Sequence, residues 1–270
     1  QINNDYLVQV GSPLGIMYGY QNDGRYEVSD FNYDSTTGDY TLVDGVPSNA
    51  DVIGDGFVRP GALKLKDING DGVVDEDDQT IIGDANPDFT GGFTLNARAY
   101  GFDLSAAFNF SVGFDVYNAN KIHSNTPRES NDYGNLTTTF ADGVRWTNLD
   151  PSTGQLVTDP TQLAALNANT TMWSPSMQRY VFSDWAVEDG SYLRLNTLSL
   201  GYTLPESALS DFGISKLRLY VTANNVFIIT NYSGMDPEVS TRRNTNFTPR
   251  VDYSAYPRSR QVAFGLNLNF

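Results

Sequence analysis

From Gln261 to Phe270 the chain alternates without interruption. Val262, Phe264, Leu266, Leu268 and Phe270 fall on one face, and Gln261, Ala263, Gly265, Asn267 and Asn269 fall on the other. Successive side chains of an extended chain point to opposite sides, so period-two alternation predicts a strand. The same pattern runs through residues 88–100 and 102–114. Phe89, Phe93, Leu95, Phe102, Leu104, Phe108 and Phe110 share the apolar parity, and a tight turn is expected at Tyr100-Gly101. Residues 192–204 form a further strand whose apolar parity switches between Leu195 and Leu198, which predicts a bulge. Residues 216–229 and 260–270 complete five clear strands. A sixth is a candidate within Tyr6–Val10 or Leu14–Tyr20.

Ten-residue strands exceed the usual globular length of about 5–6 residues and match the roughly 9–11 residues of a tilted membrane strand. The connections alternate between short and long. Tyr100-Gly101 and Pro205–Ser215 are short turns, whereas residues 11–87, 115–191 and 231–259 read as long irregular loops, with a short helix at Thr161–Asn169. Loops beyond about 15 residues are uncommon in compact domains, but short periplasmic turns opposite long extracellular loops characterise outer-membrane barrels. With Phe270 on the periplasmic side, both short turns are periplasmic and all three long stretches extracellular. A soluble sandwich can also contain such a strand as residues 260–270; the long loops favour the barrel.

Composition sharpens this picture. The 270 residues carry a net charge of -15, which disfavours nucleic acid as a partner. The 31 Tyr and Phe residues suit strands and interfacial aromatic belts, and 24 Gly with abundant Asp and Asn suit turns. The absence of cysteine removes disulfides and thiolate metal sites. No apolar run reaches the ~18 residues of a membrane helix, and the modest mean hydropathy is compatible with a barrel, because half of each strand is polar. The chain opens at Gln1 with neither Met nor a signal peptide, so it is expected to be processed or to be a piece of something longer.

One stretch carries specific chemistry. Residues 67–78 match the twelve-residue calcium loop, with oxygen donors Asp67, Asn69, Asp71, Asp75 and Asp78 at loop positions 1, 3, 5, 9 and 12. Gly72 stands at position 6, where the backbone turns sharply, and Val73 at position 7 would supply its carbonyl. A hard cation needs six to eight oxygens, and this spacing wraps them around one point. Asp in place of Glu at position 12 shortens the reach of that ligand. A structural Ca2+ bracing the first long loop is expected, with Mg2+ as the alternative ion; the bland reading is a solvated acidic turn.

Catalysis finds little support. His123 is the only histidine, has no nucleophile elbow beside it, and reads as an ordinary loop residue. Aspartates are so frequent that any chosen carboxylate pair is uninformative, and no phosphate-binding Gly-rich loop occurs. The chain is therefore not expected to be an enzyme. Tyr18, Tyr20, Tyr26, Tyr133, Trp146, Trp173, Tyr232, Tyr253 and Tyr256 lie in or beside the loops, where they either stack on sugars or pack the loops together.

Several motifs occur in a telling order: Ser12–Tyr20 (SPLGIMYGY) with Asp23-Gly24, Pro60-Gly61, Lys64–Gly72 (KLKDINGDG), Ile82-Gly83 and Asn86–Phe93 (NPDFTGGF). Asp189–Leu195 (DGSYLRL), Leu200–Pro205 (LGYTLP) and Leu219–Phe227 (LYVTANNVF) follow. In this combination the chain resembles the C-terminal part of SusC/RagA-like TonB-dependent transporters of Bacteroidetes outer membranes, departing at Ala62, where the family commonly has Asp. The resemblance implies an all-β fold: the C-terminal strands of a large antiparallel transmembrane β-barrel of about 22 strands with a plugged lumen. It also implies a TonB-powered importer of glycans or peptides, working with a SusD-like surface lipoprotein and embedded in outer-membrane lipid. Five or six strands cannot close such a barrel, so the plug, the TonB box and the N-terminal remainder of the barrel are expected outside this chain. The competing reading is a secreted, calcium-stabilised β-domain that binds carbohydrate. It requires a second sheet over the apolar face and shorter loops.

Overall fold

The computed structural model describes residues 5–125, 136–241 and 247–270. Five long strands form one antiparallel sheet: Phe89–Ala99, Phe102–Val112, Tyr192–Thr203, Lys216–Thr230 and Gln261–Asn269. They lie side by side in chain order, so every strand pairs with its sequence neighbour, and the first and last are open edges. The alternation of apolar residues had placed all five to within a residue or two.

The register explains why one pattern runs through all five. Phe93 pairs with Phe108, Leu104 with Leu200, Leu200 with Val221 and Val221 with Phe264, so the apolar positions align across the sheet. The parity switch in Tyr192–Thr203 is a bulge between Leu195 and Thr197, present against both neighbouring strands. It keeps Leu193 and Leu195 on the same face as Leu198 and Leu200.

Turns close the sheet at one end. Tyr100 and Gly101 both take positive φ (52° and 85°), the geometry of a two-residue hairpin whose twist matches its strands. The second connection is two short 3-10 turns, Glu206–Ala208 and Ser210–Phe212, ending at Gly213 (φ 67°). The second strand stops at Val112 because Gly113 turns the chain at φ 77°, leaving Phe114 2% exposed in a separate core.

The three long segments are not irregular, and here the expectation is corrected. Tyr6–Leu7, Ile16–Gly19 and Thr80–Asp84 form one small sheet. Val187–Asp189, Asp115–Asn118 and Val251–Asp252 form another, and Asn22–Arg25/Leu63–Leu65 and Phe31–Asp34/Asp39–Leu42 form two ribbons. Neither candidate for a sixth long strand joins the large sheet: Ile16–Gly19 pairs instead with Tyr6–Leu7 and Thr80–Asp84. The expected helix spans Pro160–Leu166, with the Asp159 carboxylate accepting from the Gln162 N–H (2.9 Å) as its N-cap.

These segments pack into a body with three buried clusters. The largest joins Tyr26, Phe31, Ile53, Leu65, Val74, Phe140 and Trp173; a second joins Tyr6, Met17, Tyr117, Phe182 and Val251. The third joins Phe114, Val116, Tyr192, Tyr232 and Val239, and it seats the body on the end of the large sheet.

Candidate functional site

The large sheet has two chemically opposite faces. On one, Phe89, Phe93, Leu95, Phe102, Leu104, Leu200, Leu219, Phe227, Val262, Phe264 and Leu266 are all more than a third exposed. An uncovered apolar face of this extent is a contact surface for something outside the chain. Towards the turns it becomes aromatic: Phe102 packs on Tyr202 with ring centres 4.6 Å apart, and Phe270 is exposed on the same edge. This is the composition of an interfacial belt.

The opposite face is polar and internally bonded. Arg218 donates through Nε (2.8 Å) and Nη2 (2.5 Å) to the two carboxylate oxygens of Asp103, two strands away. The span is possible because Gly201 lies between them, where a Cβ would meet Arg218 Nη2 at 2.4 Å. Further along, Thr222 Oγ1 bonds Ser199 Oγ (3.1 Å) and Thr197 Oγ1 bonds Asn224 Oδ1 (3.1 Å). Tyr220 lies over Gly265, whose missing side chain makes room for the ring.

At the far end of this face, Arg194 is buried and pairs with Asp236 (2.6 Å) and Glu238 (3.0 Å). Arg258 meets the same two carboxylates at 3.2 and 2.9 Å. The four charges fasten the last long segment onto the sheet. This network was missed in the sequence; its one signal was an arginine at polar parity within the otherwise apolar run Tyr192–Leu195.

The acidic loop is built from short side-chain-to-backbone turns. Asp67 accepts from the N–H groups of Gly70 (2.7 Å) and Gly72 (2.9 Å). Asn69 Oδ1 accepts from Asp71 N–H (2.9 Å) and Asp71 from Val73 N–H (2.9 Å). Asp78 is fully buried and accepts from Ile68 (2.7 Å), Asn69 (3.2 Å) and Asp75 (2.9 Å). Burial alone would raise its pKa, but these N–H donors and the neighbouring Asp67 side chain outweigh it and hold the carboxyl below its ordinary value.

Gly70 and Gly72 take φ of 78° and 89°, and the loop is tied to the largest core by Ser48 and the buried Val74. The structure brings Asp67 beside Asp78 and Asn69 beside Asp71 (3.0 Å), whereas Asp75 caps the following 3-10 turn. Among the described residues, no three His, Cys, Asp or Glu side chains stand together as a ready-made metal site. The donor set itself is all oxygen, four carboxylates, an amide and the carbonyl of the half-exposed Val73, which is the chemistry of a hard cation.

The loop aromatics divide. Tyr26, Trp146, Trp173 and Tyr232 are buried and hold the loops together. Tyr18 and Tyr20 are half-buried, and Tyr253 and Tyr256 are exposed. Tyr133 lies outside the described residues. His123 packs beside Tyr253 with ring centres 5.2 Å apart.

No family model matches the chain. Among curated proteins it is 31% identical to TonB-dependent receptor P3 of Formosa agariphila, over 98% of this chain and 23% of that receptor. It is 28% identical to the TonB-dependent receptor SusC of Bacteroides thetaiotaomicron, over 76% of this chain and 17% of SusC. The chain thus spans about a quarter or less of the length of these relatives, all of them receptors. Among solved structures, the RagAB peptide importer in its open-open state aligns with the whole chain and 24% of its own, with a TM-score of 0.61 and 23% identity, which is a likeness of fold. In sequence and in fold, this chain belongs with the SusC/RagA-like TonB-dependent receptors, which are proteins of the bacterial outer membrane.

Proposed function

We propose that the chain forms part of the wall and outer rim of a TonB-dependent importer that takes up glycans or peptides with a SusD-like surface lipoprotein. The observation that carries this reading is the two-faced sheet: apolar and uncovered on one side, polar and cross-bonded on the other. A lipid-facing band opposite a hydrated lumen accounts for both. The open edge strands call for neighbours, since unpaired ladder groups are not tolerated in lipid. The remainder of a barrel of about 22 strands supplies them. The folded body on the opposite end from the turns then faces the cell exterior, where a lipoprotein and its cargo meet it. A secreted carbohydrate-binding domain is disfavoured because none of the described residues covers the apolar face.

The acidic loop is proposed to hold a structural Ca2+, or Mg2+, through Asp67, Asn69, Asp71, Asp75, Asp78 and the Val73 carbonyl. Its support is the donor spacing and the all-oxygen character of the donor set.

The test is affinity purification of the tagged, full-length receptor from outer membranes, paired with growth of a deletion strain on single polymeric glycans or on peptides. Co-purification of a surface lipoprotein and loss of growth on at least one such nutrient are expected. Unimpaired growth on all of them would overturn the import reading.

A further inference from the structure

At the turn end of the large sheet, the polar face carries charge that its own residues do not balance. A groove of about 530 Å3 opens there, lined among others by Arg98, Tyr100, Asp103, Thr203, Lys216 and Arg218. The strand register sets this arrangement. Arg98 pairs with Asp103 and Asp103 with Gly201 in one row; Thr203 pairs with Arg218 in the next row of this face, and Lys216 pairs with Asn269 beyond it. Residues two apart on a strand share a face, so Lys216 stands on the polar side with Arg218.

Three cations thus face one carboxylate, in a chain whose net charge is -15. That carboxylate is already committed: both Asp103 oxygens accept from Arg218, at 2.8 and 2.5 Å. Among the described residues, the exposed side chains of Arg98 and Lys216 form no ion pair. Glu206 and Asp211, the acids of the neighbouring turn, do not line the groove. Elsewhere this face is balanced. Thr222 with Ser199 and Thr197 with Asn224 are neutral, bonded pairs, and the Arg194 network sets two arginines against two carboxylates. Two unpaired like charges in one groove repel each other, and an anion seated between them relieves that repulsion.

The position of the groove narrows the anion. It opens on the face opposite the apolar band, whereas bilayer phosphates meet the sheet from the apolar side. A small anion free in solution is held weakly by exposed charges at physiological salt. A carboxylate carried by the same protein arrives at high effective concentration. The chain spans about a quarter or less of the length of its relatives, and a barrel of about 22 strands has a plugged lumen.

We propose that Arg98 and Lys216 clamp an Asp or Glu side chain of the part of the receptor that fills the lumen, outside residues 1–270. The planar fork of Arg98 matches the two oxygens of one carboxylate, and Lys216 adds a point charge. The proposal rests on the barrel reading, in which the polar face lines the lumen.

The test treats full-length receptor in detergent with a water-soluble carbodiimide, which joins an amine to a carboxylate in contact with it, with loss of water. Peptide mass spectrometry is expected to find Lys216 linked to an Asp or Glu outside residues 1–270. Arg98→Gln should lower the yield of that link at least threefold. Lys66→Gln, at an exposed lysine of the outer body, should leave it unchanged. Thermal unfolding of each variant guards against misfolding. Lys216 links confined to Asp103, Glu206 or Asp211, or no link from Lys216 at all, would overturn the proposal. So would phospholipid that co-purifies with wild type and is lost from Lys216→Gln, with no outside link formed. Growth of the deletion strain separates the two readings: if it fails on a nutrient while Lys216 forms no outside link, the clamp is wrong and the import reading stands.

Discussion

Arg218 grips Asp103 across the empty side of Gly201, binding two strands through a third that contributes only its backbone. A bidentate guanidinium–carboxylate pair fixes geometry as well as charge. Here it fixes the stagger of three strands at the turn end of the sheet. A methyl group at residue 201 would displace the guanidinium and separate the pair. Gly201→Ala in the full receptor is expected to lower the unfolding temperature and to speed hydrogen exchange in residues 102–105 and 216–220. Unchanged exchange there would show that the pair does not set the stagger.

A second glycine controls the outer body. Gly61 has φ +83° and lies against Trp146, where a Cβ would meet the indole at 2.1 Å; Arg25 stacks over that ring at 4.7 Å. Gly61→Ala combines left-handed strain with a clash against a buried ring and should cost on the order of 3 kcal/mol. Intrinsic fluorescence of the folded receptor should shift as Trp146 is displaced. Stability equal to wild type would refute the contact.

The Arg194 network makes an asymmetric prediction. Among the described residues, replacing the arginine leaves Arg258, which is 47% exposed, as the ion-pair partner of Asp236 and Glu238, and strands two mostly buried carboxylates. Arg194→Met should destabilise by about 2–4 kcal/mol and accelerate hydrogen exchange in residues 232–241. Arg258→Met, at the exposed side, should do much less. Equal effects from the two variants would contradict the assigned burial.

Acid should loosen the same region through Glu188. Burial raises the pKa of this carboxyl, but Ser233, through its N–H (2.8 Å) and hydroxyl (2.8 Å), and Lys121 outweigh that and bring it below its ordinary value of about 4.5. A lowered folded-state pKa gives stability that is fully present above the unfolded value and fades as pH falls through the folded one. The unfolding temperature of wild type should therefore drop below about pH 4.5 more steeply than that of Glu188→Gln, whose curve starts lower. Parallel curves would exclude Glu188 as a contributor.

For the acidic loop, Asp71→Ala is expected to weaken Ca2+ binding by the intact receptor and to increase protease cleavage within residues 60–80. Chelator should reproduce the cleavage in wild type. Calcium affinity equal to wild type in the variant would remove the loop from the ligand set.

The strands were legible because each presents eleven or so residues to two different surroundings, and period two then repeats often enough to be unmistakable. Even the bulge at Asn196 showed itself as a parity change between Leu195 and Leu198. The outer body was not legible for the converse reason. Its strands are two to five residues long, too short for a period, and their partners are remote: Tyr117 pairs with Val251, and Tyr20 bridges Ser183. A local pattern cannot report such pairings. The acidic loop was readable as a string of donors, since its spacing is local, but the capping role of Asp75 emerges only with the turn that follows it.

The three buried clusters of the outer body draw on every long segment between the strands, linking Tyr6 to Val251 and Tyr26 to Val181. Mechanically they act as a hoop at one rim of the wall. Two of the five strands reach that hydrophobic mass, through Tyr192 and Ile228, while the opposite rim is held by two short turns and the Arg218–Asp103 pair. Under load the wall should resist splaying at the outer end and yield first at the inner one, near Tyr100-Gly101 and Gly213.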